Sequence, residues 1–171
     1  MIDFMVIALP RSGTTWAANW LTTGRSLCIH DPLFQHHYTE LDQLEKLEGS
    51  LLGVSCTGLS MFPDWLNAHP AKKVILHRDL SEINHSLSAI GLNPLESSKG
   101  LRKIVGLHRT YTDLFNAPEE LYQYLLGEAF DSVAKARHAQ LVQMHIHPNF
   151  LTLPVNKQVT KRLLDELKGV L

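Results

Sequence analysis

The 171-residue chain is predicted to form a three-layer α/β/α fold around a central parallel sheet of about five strands. Short apolar runs alternate with stretches of helical spacing along the chain, which is typical of this class. The first run, residues 4–9, is apolar at every position, as expected for a strand that is covered on both faces. Residues 1–171 show no repeat, linker or low-complexity segment, so we predict one domain with right-handed crossovers.

The composition excludes several classes of partner. A formal net charge of −1 provides no basic surface for nucleic acid or for an acidic membrane. No run approaches the roughly eighteen apolar residues of a membrane span, and no basic leader precedes the first strand, so we expect a cytoplasmic location without membrane attachment. The two cysteines, Cys28 and Cys56, lie in apolar segments and are predicted to be reduced core residues.

The first predicted strand ends at Pro10, and a helix follows it. Apolar residues recur at helical spacing from Trp16 to Leu21, and Gly24 closes this helix. The turn between strand and helix therefore lies at a helix N-terminus, where unpaired amide N–H groups and the helix dipole favour an anion.

The residues of this turn suit an oxyanion. Gly13 lets the backbone approach a ligand closely. The side chains that can donate hydrogen bonds are those of Arg11, Ser12, Thr14 and Thr15. Together they predict a phosphate or sulfate site.

The remaining elements follow from the same periodicities. Further strands are predicted at residues 26–29, 51–56, 73–77 and 150–155. Helices are predicted at residues 41–49, near 65–66, and at 80–90, 101–115, 116–144 (interrupted between 127 and 131) and 157–171. The helical block from 116 to 144 is the expected place for acceptor binding.

Polar residues follow the second and third strands. His30 and Asp31 come directly after residues 26–29, and Ser55 and Thr57 lie at the end of the third strand. In open α/β sheets ligands gather beyond the carboxyl ends of the strands, so these residues should face the same crevice as Arg11. Either His30 or Asp31 could take a proton there.

The junction after the fourth strand is the second informative stretch. Arg78 ends the strand, and Asp79 with Glu82 forms a capping pattern for the next helix. Ser86 falls at the edge of the buried stripe of that helix, where its hydroxyl can turn toward a ligand.

The motif PRSGTTW resembles the 5′-phosphosulfate loop of the sulfotransferases, whose common form is PKSGTTW. The nucleotide P-loop G-x-x-x-x-G-K-[ST] fits less well, because aligning its second glycine on Gly13 places Ala8 at the first glycine and Thr14 at the lysine. Arg78 and Ser86 resemble the family's 3′-phosphate element, R-x-x-x-x-x-x-x-S. The chain thus resembles a short bacterial or carbohydrate-type member of the PAPS-dependent sulfotransferases, with a P-loop-type fold.

This resemblance implies that the donor is 3′-phosphoadenosine 5′-phosphosulfate (PAPS) and that a sulfuryl group passes to a hydroxyl or amine without a metal. It implies that Arg78 and Ser86 bind the 3′-phosphate and that Arg11 neutralises charge on the leaving oxygen. The residues implied at the 5′-phosphate are Arg11, Ser12, Gly13, Thr14, Thr15 and Trp16. Asp31-Pro32 stands where carbohydrate-type members have Glu-Pro, so Asp31, or failing it His30, is implied as the base.

Two other functions stay open. One is a catalytically degenerate module that binds a nucleotide or a sulfated ligand, because the chain is short and the glycine- and lysine-containing segment near the C-terminus of cytosolic members is not evident. The other is a P-loop small-molecule kinase, which Thr14 at the lysine position opposes. The acceptor, a small molecule or a carbohydrate, and the oligomeric state are left open. The ten histidines show no metal-ligand spacing, so no metal site is predicted.

Overall fold

The computed structural model describes residues 1–143 and 155–168 and contains an all-parallel five-stranded sheet flanked by helices, as predicted. The strands are β1 (Phe4–Ala8), β2 (Ser26–His30), β3 (Leu51–Cys56), β4 (Lys72–His77) and β5 (Leu107–Thr110). Their order across the sheet is β2-β3-β1-β4-β5. The α-helices are α1 (Thr14–Leu21), α2 (Pro63–Ala68), α3 (Leu80–Ser88), α4 (Asp113–Asn116), α5 (Pro118–Leu126), α6 (Ser132–Val142) and α7 (Lys157–Lys168).

β1 lies at the centre of the sheet and is buried along its whole length, which explains its uninterrupted apolar run. Its side chains alternate between two apolar cores. Phe4, Val6 and Ala8 join the core that α1 and α5 cover, while Met5 and Ile7 join the core on the other face. Gly53 of β3 pairs with Phe4, and a Cβ atom there would lie 2.1 Å from the Phe4 ring, so the glycine makes room for the aromatic side chain.

The prediction of a helix at residues 41–49 is wrong. The segment forms a 3-10 helix at Tyr38–Gln43 and then continues without regular structure. Leu41 is fully buried, but the Leu47 side chain is 76% exposed, so the leucine spacing does not correspond to one buried face. Without such a face a short helix gains too little from packing to persist.

The prediction of a helix at residues 101–115 is also wrong. The segment contains a 3-10 helix at Lys99–Lys103, the edge strand β5 and the short helix α4. The open edge of β4 offers a ladder of hydrogen bonds that overrides the helical spacing of a short apolar run. The fifth strand is therefore β5, whereas the strand predicted at residues 150–155 falls, except for Val155, outside the described residues.

The later helices agree better with the periodicity. Gly127, with a φ of 70°, ends α5, and Asp131 caps α6 by accepting from the amides of Val133 and Ala134. α7 starts at Lys157 as predicted, and residues 169–171 lie outside the described part of the chain. Among the helices of residues 1–143 and 155–168, none is long and apolar enough to cross a membrane.

Candidate functional site

The turn that joins β1 to α1, residues 10–13, requires glycine at its last position. Gly13 has a φ of 85°, and a Cβ atom there would lie 2.9 Å from side-chain atoms of Tyr111 and Leu114. Arg11 has a φ of 65°, a left-handed conformation that costs a non-glycine residue about 1–2 kcal/mol. Backbone strain of this kind concentrates at functional sites.

Gly13→Ala is expected to lower the free energy of unfolding by about 2–4 kcal/mol, because the alanine must adopt a left-handed conformation and displace Tyr111 and Leu114. Chemical denaturation measures the loss. Gly49→Ala is the matched control, since Gly49 has a φ of 73° but an added Cβ atom would meet nothing within 4 Å. The control should lose only about 1–2 kcal/mol, and equal losses in the two variants would contradict the close packing at Gly13.

The N-terminus of α1 offers hydrogen-bond donors to an anion. Within the described residues no side chain caps this helix, and the Ala17 amide is the one that bonds to the Gly13 carbonyl, at 2.8 Å. The earlier amides of the helix therefore point out of its end. The Ser12 hydroxyl is buried and finds no hydrogen-bond partner in the described part of the chain. An oxyanion at this turn could accept from these groups.

The structure brings the two predicted anion-binding stretches together. The Nε atom of Arg11 donates to the Ser86 hydroxyl at 2.9 Å, although the two residues lie 75 positions apart. Arg78 donates through Nη1 to the Arg11 carbonyl oxygen. This meeting follows from the sheet order, because β1 and β4 are neighbours and their carboxyl ends share one edge.

The two arginines differ in their surroundings. Arg11 has no carboxylate partner among residues 1–143 and 155–168. Arg78 donates through Nε to Glu82 Oε2 at 3.0 Å, and its guanidinium carbon lies 4.6 Å from the centre of the Tyr111 ring. The Glu82 side chain is 60% exposed, so this is a weak surface pair that an anion can displace.

His30 and Asp31 lie beside the β1–α1 turn. The Nε2 atom of His30 is 3.1 Å from the Thr15 hydroxyl, 3.3 Å from the Thr14 hydroxyl and 3.2 Å from Asp31 Oδ2. Burial lowers the pKa of His30, and the Asp31 charge opposes part of that shift. The ring is therefore neutral near pH 7.

The neighbours of His30 favour the tautomer with its proton on Nε2. A lone pair on that atom would face the Asp31 oxygen at 3.2 Å, which is repulsive, whereas an N–H group faces it favourably. The ring then donates to a threonine oxygen and leaves the threonine O–H groups free to donate elsewhere. Because Nε2 already carries a proton, the ring atom that faces the turn cannot accept another, whereas the Asp31 carboxylate can.

Asp31 is held in a defined position. Its backbone has a φ of 42°, and its Oδ1 atom accepts from the Thr57 amide at 2.9 Å. Asp31 also lines a cavity bounded by α7. The third strand thus reaches this crevice through Thr57, and Ser55 does so by donating to the Thr14 carbonyl at 2.8 Å.

Trp16 lies in the core and not at the turn. Its ring is buried against Trp20 and Phe115, and its Nε1 donates to the Leu141 carbonyl at 3.3 Å, so only its backbone belongs to the first turn of α1. Sequence reasoning missed Tyr111, which covers both Gly13 and Arg78. Its aromatic character was visible, but the segment was assigned to a helix.

A scan against family models finds no family that matches the chain, and a search of curated proteins finds no similar sequence. Within the described ranges, no group of three or more His, Cys, Asp or Glu side chains is arranged to hold a metal ion.

Proposed function

We propose that the protein is a sulfotransferase that moves a sulfuryl group from PAPS to a hydroxyl or amine. The observation that carries the proposal is the contact between Arg11 and Ser86, which unites two separately predicted anion-binding stretches at one edge of the sheet. A donor with a 5′-phosphosulfate and a 3′-phosphate needs two such stretches close together. The His30–Asp31 pair beside the same turn adds a proton acceptor.

The residues present fit a nucleotide with two anionic groups. The amides at the start of α1 and the free side of Arg11 would bind the 5′-phosphate. Arg78 and Ser86 would bind the 3′-phosphate, and Tyr111 would hold the Arg78 guanidinium in place.

When bound, PAPS supplies the sulfuryl group, whose sulfur bonds to the acceptor oxygen as its bond to the 5′-phosphate oxygen breaks. Asp31 would accept the proton that the acceptor hydroxyl loses. His30 would keep the Thr14 and Thr15 hydroxyls directed at the phosphate. Arg11 would neutralise the charge that develops on the leaving oxygen, as positioned donors do in phosphoryl transfer. The products are adenosine 3′,5′-bisphosphate and a sulfate ester from a hydroxyl acceptor or a sulfamate from an amine.

A nucleotide-binding module without turnover is the second candidate, because the contacts among Arg11, Arg78 and Ser86 would serve nucleotide binding whether or not an acceptor reacts. Assaying sulfuryl transfer from radiolabelled PAPS to a library of hydroxyl and amine acceptors separates the two candidates, because a module would bind the donor and leave every acceptor unlabelled.

Glu82→Gln is expected to tighten the binding of adenosine 3′,5′-bisphosphate by about three- to tenfold, because it removes a negative charge beside the proposed 3′-phosphate site. Calorimetry measures the change. Glu120→Gln is the matched control, since Glu120 pairs in the same way with Arg109, a pair outside the proposed site. If Glu82→Gln weakens binding or leaves it unchanged, the assigned position of the 3′-phosphate is wrong.

Thermal denaturation tests the class of nucleotide. A ligand that binds the folded protein alone raises its melting temperature, and the rise grows with the logarithm of the ratio of ligand concentration to dissociation constant. We expect adenosine 3′,5′-bisphosphate to stabilise the protein more than AMP or ATP does. Stabilisation by ATP with magnesium that exceeds stabilisation by the bisphosphate would instead support the kinase.

A further inference from the structure

An apolar cavity lies directly beside Asp31. It has a volume of about 270 Å³ and is bounded by α7 and by the 3-10 helices at Pro32–Phe34 and Gly58–Met61. This volume is close to the lower end of the range of about 300–1,000 Å³ that is usual for small-molecule sites. A cavity of this size suits a compact organic ligand.

The walls of the cavity are mostly apolar. Leu33, Phe62 and Leu163 are typical of the lining residues, which are mostly apolar. Asp31 is the charged residue among the described residues that line it, and no lysine or arginine of those residues joins it. The part of the wall that the described residues form thus offers no partner to an anionic ligand and few hydrogen bonds to a sugar, whose hydroxyls would lose their water without compensation.

Large apolar side chains surround the mouth of the cavity. Phe34, Met61 and Leu164 line it and are 40%, 55% and 52% exposed. Exposed apolar side chains that cluster around a cavity are typical of a ligand-binding site. The place of Leu164 at this mouth explains why the residue is apolar although half of it is exposed.

Asp31 connects the cavity to the proposed sulfuryl-transfer site. Asp31 lines the cavity, and its Oδ2 atom lies 3.2 Å from His30, which in turn contacts the Thr15 hydroxyl at 3.1 Å. A ligand in the cavity can therefore place one polar group beside Asp31 while its remaining surface contacts apolar walls.

Polar contacts hold α7, one wall of the cavity, against the rest of the protein. Glu166 Oε1 lies 2.9 Å from His37 Nε2, and Arg162 Nη1 lies 2.6 Å from Glu40 Oε1. The amide of Asn156, just before the helix, donates to the Phe34 carbonyl at 2.7 Å. These contacts form the wall in advance, so little ordering of the protein opposes ligand binding.

We infer that the cavity binds the acceptor and that the acceptor is an uncharged, largely apolar alcohol or phenol whose hydroxyl meets Asp31. That the bound molecule serves as the acceptor rests on the proposed function, whereas its binding in the cavity does not. Carbohydrates, which the sequence left open as acceptors, do not suit these walls.

Calorimetry with 2-naphthol as the apolar probe and methyl glucoside as the sugar probe tests the inference on the wild-type protein. We expect binding of 2-naphthol and no detectable binding of the sugar. Leu164→Lys and Met61→Lys, on two different elements of the mouth, should each weaken 2-naphthol binding by about tenfold or more, because a charge would have to be desolvated. Leu47→Lys is the matched control, since Leu47 is 76% exposed and is not among the lining residues.

Three outcomes overturn the inference. In the first, 2-naphthol binds no better than the sugar, and in the second, the three lysine variants bind 2-naphthol equally. In the third, sedimentation shows that Leu164→Lys turns a dimer into a monomer, which makes the mouth a contact between two copies. Titration with adenosine 3′,5′-bisphosphate in the same series keeps the two proposals separate. Bisphosphate binding without 2-naphthol binding refutes the acceptor cavity alone. The reverse refutes the proposed donor and leaves the apolar site.

Discussion

Replacing Arg11 with alanine is expected to lower the turnover of sulfuryl transfer by about 10²–10³-fold, which is the usual cost of losing one preorganised donor at a developing negative charge. Arg11 has no carboxylate partner among the described residues, so its charge is available to the leaving oxygen. The Michaelis constant for PAPS should rise less than tenfold, because backbone amides continue to bind the phosphate.

Arg11→Lys is the matched control. It keeps the positive charge and reproduces the motif PKSGTTW, so turnover should stay within about tenfold of wild type. Single-turnover kinetics with saturating PAPS separate turnover from binding. Equal losses in the alanine and lysine variants, or a loss confined to donor affinity, would contradict the role of Arg11 at the leaving oxygen.

Asp31→Asn is expected to reduce turnover by about 10²–10⁴-fold, the usual contribution of a general base. The substitution is suited to the site, because asparagine tolerates the φ of 42° and retains an oxygen to accept from the Thr57 amide. The melting temperature should therefore stay close to that of wild type while turnover falls.

His30→Gln separates the two candidate bases. Glutamine can place an amide N–H near the position of Nε2, so it keeps a donor to the threonine hydroxyls but cannot accept a proton at that atom. We expect this variant to lose about tenfold at most. The base would be His30 instead if His30→Gln lost as much turnover as Asp31→Asn and if the acidic limb of the pH–rate profile moved in the histidine variant alone.

The parts of the site that sequence could predict are those carried by short, contiguous patterns. The run from β1 to α1 contains its own strand, turn and helix, so the position of Gly13 at a helix N-terminus followed from neighbouring residues. Arg78 and Ser86 could be joined to this turn because parallel strands bring their carboxyl ends to one edge of a sheet. Their direct contact with Arg11 depends on β4 being next to β1, which the structure shows.

The parts that sequence could not predict depend on how distant segments meet. Tyr111 reaches the turn because its segment adds β5 to the edge of β4, and the helical spacing of that segment gave no indication of the pairing. Glu82 was recognised as part of a capping pattern, while its pair with Arg78 depends on side-chain placement across the strand–helix junction. The cavity beside Asp31 exists because α7 packs near the 3-10 helix at Pro32–Phe34, and no local pattern links segments so far apart.

The most direct test is the ratio of affinities for adenosine 3′,5′-bisphosphate and AMP, measured by calorimetry. The proteins compared are the wild type, Arg78→Ala and the control Arg109→Ala, whose arginine pairs with the exposed Glu120. A charge-assisted contact to the 3′-phosphate predicts a preference for the bisphosphate of about 10–100-fold in the wild type and the control, reduced to near unity in Arg78→Ala. If Arg78→Ala keeps the wild-type preference while remaining folded, Arg78 does not bind the 3′-phosphate and the two arginines do not form one nucleotide site, whereas a wild type without the preference would contradict the proposed donor.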